Sequence, residues 1–140
     1  MGNSWHPQNW RAQLSQQYWR VVDNALPFDL MKQMRNHKLT RTLAELRQYL
    51  TALYGTRLVD VVLFGSQARG DAVVGSDIDV LIVLKDTVSQ FEEVARTSEF
   101  TSALCLKYDV VISRIFISEE EYLHSQMLFL RNVRREGVHL

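Results

Sequence analysis

The chain has 140 residues, with 16 Lys+Arg against 16 Asp+Glu, 46% hydrophobic residues, six Gly and two Pro. This is ordinary globular composition at a length that suits one compact domain, which can bury roughly 70% of its unfolded surface without disulfides or a structural metal. A net charge of zero removes any global attraction for nucleic acid or an anionic membrane, and the single cysteine, Cys105, excludes an internal disulfide. No stretch approaches the roughly 18 apolar residues of a membrane helix. No basic stretch followed by an apolar run and a small-residue cleavage site opens the chain, so the expectation is a cytoplasmic protein.

Residues 1–38 hold all three Trp, both Pro and three of the four Met, and read as an N-terminal extension. Within it Trp10, Leu14, Tyr18, Val21 and Ala25 recur at helical spacing, which predicts a helix ending before Pro27. Its aromatic residues suit either a partner face or packing on the protein's own domain; a third reading starts the protein downstream, at Met31 or Met34. Residues 39–140 form the second unit. Thr42 with Glu45 predicts a capping box, Leu43, Leu46, Leu50 and Leu53 share one helical face, and Gly55 supplies the stop. Leu58 to Phe64 (LVDVVLF) is a short, β-branched run between glycines, which predicts a buried strand.

A polar connection, GSQARGDAVVGS, leads to a second predicted strand, Asp77 to Leu84 (DIDVLIVL), apolar on both faces except where the two aspartates open it. Residues 88–106 are helical by pattern, with a break predicted near Thr97 to Thr101. Asp109 to Ile117 (DVVISRIFI) is a third strand, and Ser118 with Glu121 caps a final helix on which Tyr122, Gln126, Phe129 and Val133 share a face before Gly137. The order is helix, strand, short helix, strand, helix, strand, helix, which predicts an α/β fold with a small mixed sheet.

Gly65 and Ser66 end the first strand and ten residues separate them from Asp77-Ile78-Asp79 at the start of the second. Residues two apart in a strand point to one face, about 6.5 to 7 Å apart, so Asp77 and Asp79 can aim both carboxylates at one point. Two carboxylates with no neighbouring His or Cys suit Mg²⁺, which takes oxygen ligands and substrate phosphates, and do not suit zinc. Gly65 permits close backbone approach, and Ser66 opens a short helix where free N–H groups and a hydroxyl can meet a phosphate.

The stretch VVLFGSQARGDAVVGSDIDVLIVL resembles the signature of the DNA polymerase β nucleotidyltransferase superfamily in the form seen in minimal nucleotidyltransferases (MNT proteins). The resemblance covers roughly residues 39–140 and extends through FLRNVRREGV, leaving out the Trp-rich extension. It implies a polymerase-β-like fold and assigns Gly65 and Ser66 to triphosphate binding and Asp77 and Asp79 to two Mg²⁺ ions. The family's third carboxylate falls at Asp109, in YDVVI, where it would bind the catalytic metal and help deprotonate the attacking hydroxyl. Arg69 resembles the family's motif arginine, and either touches the triphosphate or pairs with Asp71 to pin the loop.

Such a site implies attack on the α-phosphorus of ATP with pyrophosphate leaving. Minimal members of the family are similar to the antitoxins of HEPN/MNT toxin–antitoxin pairs, which transfer AMP to a tyrosine of a HEPN ribonuclease toxin. That resemblance implies a cognate HEPN toxin as partner and ATP as substrate, while the zero net charge and the lack of a long apolar run predict no direct nucleic-acid or membrane contact. Two other readings stay open: an antitoxin that neutralises by binding alone, and an aminoglycoside-type enzyme acting on a small-molecule hydroxyl. His6, His37, His124 and His139 lack ligand spacing, and Cys105, flanked by Leu104 and Leu106, reads as a buried filler.

Overall fold

The computed structural model describes residues 27–73 and 75–140. The helix expected over Trp10 to Ala25 lies outside them. The chain divides into two units at Thr40/Arg41. Helix α1 runs from Pro27 to Tyr54, without the start expected near Thr42. Pro27 occupies its first position, where a missing N–H does no harm, and no Gly or Pro interrupts the sequence before Gly55. Thr42 is therefore an interior helical residue and fully buried, not a cap.

A single 3₁₀ turn, Gly55–Arg57, leads into β1, Leu58–Phe64. Helix α2 is one turn, Ser66–Arg69, and β2 spans Ile78–Leu84. Helix α3 covers Gln90–Tyr108, β3 covers Ile112–Ser118, α4 covers Glu119–His124, α5 covers Leu128–Glu136, and β4 is the pair Val138–His139. The strands form one mixed sheet in the order β3-β2-β1-β4, with β1 antiparallel to β2 and β4, and β2 parallel to β3.

Alternation along the strands sends side chains to two packed layers. Val62, Leu81, Val83 and Ile117 meet Tyr122 of α4 and Leu130 and Val133 of α5. On the other face Phe116 packs edge-on against Tyr54 of α1, and the Arg114 guanidinium reaches the hydroxyls of Thr97 and Thr101 on α3. These threonines were expected to mark a break, yet α3 is continuous through them. The Thr97 hydroxyl donates to Glu93 O at 2.9 Å, and both threonines accept from Arg114, so their polarity is satisfied within the helix packing.

The final helix, expected as one, is two. Ser118 does cap α4, accepting from Glu121 N at 3.2 Å, but the helix stops at His124. Arg134 of α5 donates to Tyr122 O and Ser125 O, both at 2.7 Å. Its fork takes up carbonyls that a continuous helix would have bonded to its own backbone.

Edge strand β3 is closed by a side chain. Gln90 Nε2 donates to Arg114 O at 3.1 Å, and Gln90 Oε1 accepts from Phe116 N at 2.6 Å, so one amide imitates the neighbouring strand. Gln90→Ala is expected to lower stability by about 1 kcal/mol and to promote edge-to-edge association. Urea unfolding and light scattering measure the two effects.

Candidate active site

Gly65 closes β1 in a backbone conformation, φ 74° and ψ −155°, that is essentially restricted to glycine. A Cβ at this position would lie 2.5 Å from Asp79 Oδ2. Glycine is thus required twice, for the turn and for the room it leaves the carboxylate. The first amides to bond within the following turn are those of Ala68 and Arg69, both to Gly65 O at 3.1 Å, which sets Ser66 at the head of α2.

Asp79 pairs with Phe64 across the β1–β2 ladder, so the glycine turn and the aspartate pair arrive at the same end of the sheet. Asp77 is exposed and Asp79 half-buried. Burial and, secondly, the negative charge of Asp77 raise the Asp79 pKa above the ordinary carboxylate value, and Arg69 partly offsets them. A divalent cation between the two carboxylates would remove that repulsion. An all-oxygen pair with a glycine cradle beside it fits Mg²⁺.

Arg69 makes an ion pair with Asp71 at 3.3 Å and lies 3.9 Å from Glu136. The pair with Asp71 lies within the loop, and the Arg69 charge also acts on Asp79. The loop is stitched further by Val73 N to Ser76 Oγ at 2.9 Å and Gln67 Nε2 to Ser76 O at 3.3 Å.

Asp109 is placed differently from expectation. Strand β3 begins at Ile112, and Asp109 caps the end of α3 in the left-handed region, φ 52°, with its N–H on Cys105 O. A short polar side chain tolerates that conformation, and the helix claims the residue before the strand can start. Among the described residues no group of three Asp, Glu, His or Cys side chains is placed to hold one ion. The β3 residue beside Asp79 is instead Ser113, which only the pairing register singles out. On the β1 side Phe64 stands opposite Asp79, and its ring meets Phe129 edge-on at 5.3 Å.

Of the remaining singled-out residues, Cys105 is a free thiol and half-buried, less enclosed than expected. His124 and His139 are exposed, and His139 pairs with Asp60. A cleft lined by Asp86, Thr87, Ser118 and Glu119 to Glu121 sits at the far end of β2, where its carboxylates disfavour a triphosphate. No helix among the described residues is long and apolar enough to cross a membrane.

A mixed sheet that turns on a glycine beside paired carboxylates, with a short helix rising from that turn, is an arrangement suited to binding phosphate and a cation. The sequence profile described as the nucleotidyltransferase domain matches residues 43–135, and the chain belongs to that family. A relative from Methanocaldococcus jannaschii, provisionally named a protein adenylyltransferase, is 41% identical over 96 residues, covering 66% of this chain and 90% of that one. The crystal structure of a protein from Sulfolobus solfataricus, provisionally called a nucleotidyltransferase, aligns with a TM-score of 0.55 and 24% identity over 79% of this chain and 83% of that one. That likeness is one of fold. A solved MntA–HepT toxin–antitoxin complex gives a TM-score of 0.46 at 16% identity, covering 71% of this chain and 69% of that one, too slight to speak for a partner.

Proposed function

We propose that this chain transfers AMP from ATP to a hydroxyl of a partner protein, and that it serves as the antitoxin of a toxin whose tyrosine is the acceptor. The observation that carries the nucleotidyl-transfer reading is the close approach of Gly65 and Asp79, where a Cβ would lie 2.5 Å from the carboxylate. It supports a site built to hold phosphate and cation side by side. The protein acceptor is supported by the name borne by the Methanocaldococcus jannaschii relative.

Residues 39–140 are the unit assigned to this chemistry. Gly65 and Ser66 bind the triphosphate, and Arg69 steadies the loop beside it. Asp77 and Asp79 would hold Mg²⁺, which when bound supplies charge neutralisation at the phosphates and at the attacking and leaving oxygens. The two-ion arrangement implied by the resemblance relied on Asp109, which caps α3 instead. About 100 residues can build a nucleotide site yet enclose little of a small acceptor, which favours an acceptor that arrives on a protein surface and completes the cleft.

The test is transfer of label from α-phosphate-labelled ATP, with Mg²⁺, to the product of the neighbouring gene. Peptide mass spectrometry locates the adduct, and an Asp77→Asn, Asp79→Asn chain serves as control. Label on a partner tyrosine with the native chain and none with the control supports the proposal. Undiminished inhibition of the partner by both chains with no label transferred would replace it with neutralisation by binding.

A further inference from the structure

We propose that the third side chain at the cation site is Ser113, and that Asp109 takes no part in holding the ion. The inference rests on Asp77 and Asp79 being the carboxylate pair. Strands β2 and β3 run parallel, with Ile78 opposite Ile112 and Asp79 opposite Ser113. Residues opposite one another on neighbouring strands project to the same face, about 5 Å apart. Ser113 therefore stands on the face that carries Asp79, and it is exposed.

This register is held at several points on the opposite face. Arg114 is bonded to Thr97 and Thr101, Phe116 packs on Tyr54, and Gln90 clasps the backbone of both Arg114 and Phe116. A slip of one residue would turn Ser113 under α3 and expel the Arg114 guanidinium from its hydroxyl partners. The other β3-side residue at this end is Val111, whose carbonyl accepts from Ile78 N at 2.8 Å and whose side chain is apolar. Ser113 is the oxygen that this corner offers.

Asp109 lies three residues upstream of β3, fixed by its cap N–H to Cys105 O. Among the described residues it joins no group of three Asp, Glu, His or Cys side chains placed to hold one ion. A hydroxyl is a hard oxygen ligand of the type Mg²⁺ accepts, but it brings no charge. The site then carries one negative charge fewer than three aspartates would, so cation binding depends more heavily on the nucleotide's phosphates. Among the described residues no third carboxylate stands at the site to take the acceptor's proton.

The experiment is Mn²⁺ binding to the full chain with a non-transferable ATP analogue present, followed by water proton relaxation. Asp79→Asn is expected to weaken binding on the order of 100-fold and Ser113→Ala about tenfold. Ser113→Asp is expected to tighten it about tenfold by supplying the missing charge. Asp109→Asn is expected to leave it unchanged, and asparagine keeps the left-handed cap, so the fold is retained. The proposal is overturned if Asp109→Asn weakens binding as Asp79→Asn does, or if neither Ser113 variant changes it. If Asp79→Asn itself has no effect, the carboxylate-pair reading fails first, and this inference with it.

Discussion

Gly65→Ala is expected to reduce nucleotidyl transfer by about 100-fold, because the new Cβ displaces the Asp79 carboxylate by an ångström-scale shift in a site where such misplacement is decisive. The methyl group would stand 2.5 Å from Asp79 Oδ2, and neither partner can yield easily. The turn at Gly65 is backbone in a region other residues avoid, and β2 holds Asp79 between buried Ile78 and Val80. Backbone strain adds about 2 kcal/mol of destabilisation. Gly55→Ala is the control: its φ is also positive, at 54°, but a Cβ there meets nothing within 4 Å. It should lose about 1 kcal/mol and keep its transfer rate. Initial rates well below each variant's unfolding midpoint separate the two, and equal losses would remove the steric argument.

Glu93→Gln is expected to destabilise the protein by about 2 kcal/mol, the scale of hydrogen bonds made to a charged group. Glu93 is 2% exposed. Its carboxylate accepts from Tyr54 OH at 2.6 Å, Arg96 Nε at 3.0 Å and Arg57 Nη1 at 3.3 Å, tying the end of α1 and the 3₁₀ turn before β1 to α3. Burial by itself raises the Glu93 pKa. The bonds from Tyr54, Arg57 and Arg96 outweigh it and hold the group below its ordinary value of 4.5.

A carboxylate depressed in the folded state contributes stability that is present above its unfolded pKa and is lost as pH falls through its folded one. Native stability should therefore decline as pH falls below 4.5, and the difference from Glu93→Gln should shrink over the same window. Glu45 is also depressed, by hydrogen bonds from Tyr108 and Lys107, and contributes in that range in both proteins. The comparison thus isolates Glu93. Urea unfolding at pH 7 and at pH 3 measures the effect, and a pH-independent difference would refute the assignment. Arg57 and Arg96 keep partial access to water, with side chains 33% and 52% exposed, which keeps the expected loss below that of a wholly enclosed pair.

Much of the fold around the candidate site is legible without packing, because its parts are local. Leu58 to Phe64 is bounded by glycines and β-branched within, and it is a strand over those residues. The carboxylate pair announces itself by spacing at the head of an apolar run, and β2 begins at Ile78, between the two aspartates. Ser118 with Glu121 is a local hydrogen-bond motif, and it caps α4 as read.

The failures share a different character. Thr42 with Glu45 satisfies a capping pattern, but capping needs a chain that enters the helix from outside, and α1 arrives already helical from Pro27. Thr97 and Thr101 carry weak helix propensity, which tertiary bonds from Arg114 override. The separation of α4 from α5 follows from where the Arg134 fork lands, nine and twelve residues back along the chain. Strand β4 is two residues long and exists only as a partner to Val62 and Leu63.

The sequence by itself determined three of the four strands and set Gly65 and the two aspartates at opposite ends of the connection between the first two. Those properties depend on residue type and on neighbours a few positions away. Only the tertiary structure decided which β3 residue stands beside Asp79. Asp109 matches the expected carboxylate position in the sequence, but α3 extends to Tyr108 and takes Asp109 as its cap. The parallel register then brings Ser113 to that place. Register between parallel strands is set by the packing of a crossover helix across both, here through Arg114, Phe116 and Gln90, and a local pattern of period two is the same for every register that keeps the faces.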